Sequence, residues 1–130
     1  MKANELMVGD YIMLYEDIYI IEEISSKGWA HIIYNDESKC RVPLSTDYIL
    51  GELTPVPLTA EILKKNGFEL QRDKSELGTL DTYWLGSELG AFRIHRLNNG
   101  DYQFGLAKIR GVHELQHALR LCGIDKEIKL

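Results

Sequence analysis

Three features of this sequence predict an α+β fold: a first half of short strand-like runs, a proline-flanked break, and a second half in which two helical segments bracket further strands. The early runs are Asp10–Tyr15, Ile18–Ile24, Trp29–Tyr34, Lys39–Leu44 and Tyr48–Leu53, all rich in Ile, Tyr, Val or Trp. Turn-forming clusters separate them at Glu16-Asp17, Ser25-Ser26-Lys27-Gly28, Asn35-Asp36-Glu37-Ser38 and Ser45-Thr46-Asp47. Strands at this spacing predict a small antiparallel, SH3-like barrel-type unit over residues 1–53. The run Ile18–Ile21 does not alternate cleanly, as expected of a strand that meets apolar surroundings on both faces.

The break is Thr54-Pro55-Val56-Pro57, whose two prolines stiffen the connection. Residues 54–130 then predict an α+β unit ordered helix, β meander, helix. Thr59 can cap a helix over Ala60–Asn66, with Glu61 in the first turn and Gly67 ending it. Arg72–Thr79 is polar and predicts a loop. Strands follow at Thr82–Gly86 and Ala91–Leu97, then a hairpin turn at Asn98-Asn99-Gly100-Asp101, where Asn99-Gly100 suits positive φ. A strand over Tyr102–Leu106 would place Tyr102, Phe104 and Leu106 on one face, and Phe92 and Ile94 can do the same in its partner. A helix over Val112–Cys122 ends at Gly123, and Ile124–Leu130 predicts a last edge strand. With 130 residues the chain is expected to form one co-operative globule, with Pro55–Pro57 as its seam.

At 45% hydrophobic and 27% charged residues the composition excludes a disordered chain. No apolar run approaches the roughly 18 residues of a membrane span, and the first residues lack the apolar core of a signal peptide. The expectation is a cytoplasmic protein without membrane association. Cys40 and Cys122 lack paired spacing and read as reduced thiols, Cys122 on an apolar helix stripe where a thiol is inert. Charge is uneven: residues 1–53 carry four Lys/Arg against ten Asp/Glu, whereas the rest carries eleven against ten. So acidic a first half speaks against binding to a nucleic-acid backbone, which requires clustered cations.

Two constellations carry candidate chemistry. His113-Glu114-Leu115-Gln116-His117 spells H-E-x-x-H, in which two imidazoles on one helix face could hold Zn²⁺ while Glu114 serves as base. On a helical wheel, however, Val112, Leu115, Ala118, Leu119 and Cys122 form the apolar stripe, and His113 and His117 lie opposite, toward solvent. No third ligand stands at a known downstream spacing, since position 123 is Gly123, and His31, His95 and Cys40 are distant in sequence. The motif therefore reads as a chance match, with no catalytic residue and no cofactor expected. The second constellation is cationic: Arg93, His95, Lys108, Arg110, His113 and His117 would form a site for a phosphate or nucleotide if the fold gathered them. Trp29 and Trp84 are candidate recognition aromatics, with core packing the simpler reading for Trp84. Phosphate-loop, dinucleotide and serine-nucleophile motifs do not occur.

Met1-Lys2-Ala3-Asn4-Glu5-Leu6 with Gly9-Asp10-Tyr11, then Pro55-Val56-Pro57-Leu58-Thr59 leading to Gly67-Phe68, then Val112-His113-x-Leu115-Gln116, run in order along most of the chain. This combination resembles a family of short uncharacterised proteins encoded in the genomes of gut anaerobes and in their phages and prophages. That family's pattern requires neither Glu114 nor His117, the residues zinc hydrolysis would need. The resemblance implies a mobile-element setting and no activity. The leading expectation is a non-enzymatic protein-binding module acting on a host or phage protein. The alternatives are a binder of a small anionic ligand and a zinc-dependent hydrolase.

Overall fold

The structure, a computed structural model, describes residues 6–24, 29–34, 42–45, 53–75, 78–86 and 92–130. They form an α+β protein of two antiparallel sheets and two helices. The chain divides into two compact units, Met1–Val56 and Pro57–Leu130.

The first unit holds β1 (Tyr11–Leu14), β2 (Asp17–Ile24), β3 (Trp29–Tyr34), β4 (Val42–Ser45) and β5 (Leu53–Pro55), ordered β4-β3-β2-β1-β5. Register sets Ile12 opposite Tyr19 and Leu14 opposite Leu53, so Ile12, Leu14, Tyr19, Ile21 and Leu53 bury one face. Along β2 the buried Tyr19 and Ile21 alternate with the half-buried Ile18 and Ile20, so the second face of Ile18–Ile21 is apolar but only partly covered; a register shift between Ile21 and Glu23 follows this run. Ahead of β1, the buried carboxylate of Asp10 accepts the Met7 amide at 2.7 Å, and the Gly9 amide donates to the Ile21 carbonyl at 2.7 Å. No ladder joining β4 to β5 occurs among the described residues, so the sheet is not a closed barrel there. The turns expected at 25–28, 35–38 and 46–47, and parts of the strands expected at 39–44 and 48–53, lie outside the described residues.

The second unit opens with α1 (Ala60–Lys65). The Thr59 hydroxyl accepts the Ile62 amide at 3.2 Å, and Gly67 sits at φ 86 while Phe68 N–H reaches the Leu63 carbonyl and Gly67 N–H the Lys64 carbonyl. This is a Schellman closure with the buried Leu63 and Phe68 at its apolar positions. Where a loop was expected over 72–79, residues 72–75 and 78–79 are instead paired strand, in β6 (Glu69–Ser75) and β7 (Gly78–Leu85). β6 is the edge of the sheet, and an edge strand tolerates the polarity that suggested a loop.

The sheet continues through β8 (Phe92–Arg96), β9 (Tyr102–Phe104) and β10 (Ala107–Ile109), in the order β10-β9-β8-β7-β6. Between β8 and β9, Leu97 N–H donates to Asp101 O and Gly100 alone takes positive φ, at 89, so the loop is a three-residue turn rather than a two-residue Asn99-Gly100 turn. The strand expected over Tyr102–Leu106 stops at Phe104. Gly105, at φ 58, begins a two-residue turn into β10, and Leu106 is 99% exposed instead of sharing a face with Phe104.

Helix α2 (Val112–Leu121) contacts β10 and ends at Gly123, φ 70, in a second Schellman closure made by Ile124 N–H on the Leu119 carbonyl. Ile124–Leu130 is not a strand. Its main chain is held by a side chain: the buried Asn66 amide donates to Lys129 O and accepts from Lys129 N–H, both at 2.7 Å, while Lys65 donates to the Leu130 carbonyl. Ile128 is thereby fixed in the core with Tyr83, Phe92, Ile94, Tyr102, Val112, Leu115 and Leu119. Phe92 links two rings, edge-on to Phe68 at 6.1 Å and stacked on Phe104 at 4.9 Å. Each such burial is worth about 1.5–3 kcal/mol relative to exposure.

Candidate binding surface

Helix α2 carries the H-E-x-x-H residues, and its local geometry assigns the glutamate a structural part. Gly111 caps the helix without a side-chain bond, and Glu114 Oε2 accepts the Arg110 amide at 2.7 Å, satisfying a donor just ahead of the first turn. His113 does not face solvent as the wheel suggested. It is 3% exposed, and Gln116 is buried as well. His117 is half-buried, its ring edge-on to His113 at 5.7 Å. Among the described residues no group of three or more His, Cys, Asp and Glu is placed to hold a metal ion; His31 (side chain) and Cys40 lie outside them.

The six basic side chains are distributed over separate places. Arg93 and His95 alternate with the buried Phe92 and Ile94 and so project from the opposite face of β8. Across the ladder, Trp84 faces Arg93, whose guanidinium lies 4.8 Å from the ring centroid, and Thr82 faces His95, with the Thr82 hydroxyl 2.9 Å from Nδ1. Trp84 is therefore half-buried beneath a cation rather than enclosed in the core, while the side chain of Trp29 lies outside the described residues. Lys108 is committed to Asp101 at 2.8 Å. That hydrogen bond holds the Asp101 carboxyl below its ordinary value of 3.8, with burial opposing and the Lys108 charge and an Asn99 hydrogen bond assisting. Lys108 and Arg110 line a recess of about 280 Å³ with Pro57, Leu58, Tyr102 and Ile109. Burial pushes the Tyr102 phenol above 10.0, and the neighbouring Tyr83 adds to the effect.

Arg93 and His95 line a different recess, of about 400 Å³, whose other walls are Phe92, Phe104, Gly105, Cys122 and Ile124. Cys122 is exposed at its rim, not buried on the apolar stripe, because the helix ends there and Gly123 turns the chain away. Beside Gly105 stands Leu106 and beside Cys122 stands Leu121, 99% and 86% exposed. Sequence reading missed both leucines. Leu121 sits off the apolar stripe of the wheel, which was the available signal, whereas Leu106 was hidden by an alternation that Gly105 interrupts.

Comparison of the chain with protein-family models, with curated proteins and with solved structures finds no match. No helix among the described residues is long and apolar enough to cross a membrane.

Proposed function

We propose that this protein is a non-enzymatic protein-binding module of phage or prophage setting whose second unit docks a host or phage protein. The observation that carries the reading is the recess at Phe92, Phe104, Cys122 and Ile124, together with the exposed Leu106 and Leu121, which adjoin its lining residues Gly105 and Cys122 in sequence. Removing the two leucines from water against a partner would contribute about 25 cal/mol per Å² of apolar surface covered. The order β4-β3-β2-β1-β5, with the last strand returning beside the first, supports an SH3-like barrel topology for the first unit as part of the same proposal. Fold alone names no partner, so the proposal rests on the surface. The division of the cations between two recesses, with Lys108 already paired, makes a protein surface the better-supported reading than a site for one small anion.

The test compares the chain with its Leu106→Glu/Leu121→Glu double variant as baits in lysates of phage-infected and uninfected anaerobic gut bacteria. The same protein recovered by the unaltered chain and lost by the double variant, at unchanged melting temperature, is the expected result. Equal recovery by both baits places binding elsewhere, and no recovery by either removes the binding reading.

A further inference from the structure

We infer that the recess receives an extended peptide segment that adds to the open edge of β8 at Arg93, setting an apolar side chain between Phe104 and Cys122 and a carboxylate on the Arg93 guanidinium. This rests on the binding-module reading and specifies what the module binds.

Leu97 N–H donates across to Asp101 O, so the main chain of Leu97 points toward β9. Alternation along a strand then points His95 and Arg93 the same way. The ladder between β8 and β9 ends at His95 opposite Gln103. Two residues further along, where a partner for Arg93 would stand, Gly105 at φ 58 turns the chain into β10. Arg93 consequently directs its N–H and C=O into the recess, with no main-chain partner on that side among the described residues. Unpaired strand groups at the mouth of a recess are the template used in strand addition, in which main-chain bonds give affinity and alternate side chains enter pockets.

The side chains supply the specificity. Phe92 and Phe104, stacked at 4.9 Å, with Cys122 and Ile124 form an apolar wall along a recess of about 400 Å³. Arg93 is exposed, held over Trp84, and makes no ion pair among the described residues, in contrast to Lys108 with Asp101 and Arg72 with Asp81. A guanidinium held over a ring, with no carboxylate against it among the described residues, favours a carboxylate on the incoming segment. His95 adds a second polar group on the same side, with Nδ1 committed to Thr82 and Nε2 as its remaining ring nitrogen. The second half of the chain is near neutral, so it does not repel an acidic segment as the first half would.

The probe is a display library of short random peptides selected against the full chain, followed by titration of the most enriched peptide. Expected are sequences that set an apolar residue near Asp or Glu, binding at least about tenfold weaker to Arg93→Glu and recovering in part in Arg93→Lys. N-methylation of the peptide amide facing Arg93 should weaken binding by a similar factor, and methylation of its neighbour should not. In a Cys40→Ser background, bound peptide should slow alkylation of Cys122. Each variant is compared at matched melting temperature. Enriched peptides without acidic residues, or affinities indifferent to both Arg93→Glu and N-methylation, overturn the inference while leaving the module's binding of proteins standing. Dimerisation of the chain itself, abolished by Arg93→Glu with no peptide enriched, also overturns it in favour of a second copy as occupant.

Discussion

The two ends of helix α2 invert the usual rule of burial. Its first two turns enclose His113 and Gln116 along with Val112 and Leu115, while its last turn leaves Leu121 and Cys122 in water. Burying an imidazole and an amide costs desolvation, and exposing a leucine forgoes about 1.5–3 kcal/mol, so neither choice serves this helix alone. The polar end lies in the interior of the chain. In the proposed function, the exposed leucine at the other end serves a contact outside the chain. The motif that draws the eye in the sequence thus marks the structural end, and the plain leucine marks the candidate site.

The comparison can be broken first at its buried end. Leu115→Ala should cost about 2–5 kcal/mol in urea unfolding, as truncations of enclosed leucines do. His113→Ala should cost about 1–3 kcal/mol, whereas His117→Ala, half-buried, should cost less than about 1 kcal/mol. Equal small effects at both histidines would place His113 in solvent after all. Next comes the turn that supports the exposed end. Gly105→Ala meets no neighbouring atom within 4 Å, so its loss of about 1–2 kcal/mol should come from φ 58 alone. At the exposed end, Leu106→Lys and Leu121→Lys should each change stability by less than about 0.5 kcal/mol; a larger loss in either would show that the leucine supports the fold.

The smallest expected effect is electrostatic. Because Lys108 lowers the pKa of Asp101, this pair contributes stability above the carboxyl's ordinary value of 3.8, and the contribution is lost as pH falls through the lower folded value. By NMR titration the Asp101 midpoint should lie below 3.8 and rise toward it in Lys108→Met. A midpoint unmoved by that substitution would dissociate the shift from Lys108.

Local chemistry in the sequence accounts for much of the fold. Thr59 and Gly67 bound α1, Gly123 bounds α2, and Asn98–Gly100 forms a turn, because capping and positive φ are properties of a few adjacent residues. Non-local pairing accounts for what was missed. Strand β6 exists because β7 pairs with it despite its polar residues, and the chain end is held by Asn66, more than sixty positions away, rather than by a ladder. The β1–β2 and β9–β10 turns show the limit within one geometry: each has a two-residue loop whose first residue has φ near 58, but it is Tyr15 in one and Gly105 in the other. A glycine inside an alternating run reads as strand, and a tyrosine gives no sign of positive φ at all. For the candidate surface, sequence supplied Arg93 and His95, whereas the exposure of Leu106 and Leu121 depends on where distant parts of the chain stop covering them.

The most direct test of the central claim, that the apolar end of α2 and its recess meet another protein, is amide hydrogen exchange on the chain alone and in complex with its captured partner. Slowed exchange is expected at Arg93, at Gly105–Leu106 and at Leu121–Cys122, with the Asn98–Gly100 turn unchanged. Slowed exchange confined to the first unit, or to the recess of Lys108 and Arg110, would contradict it.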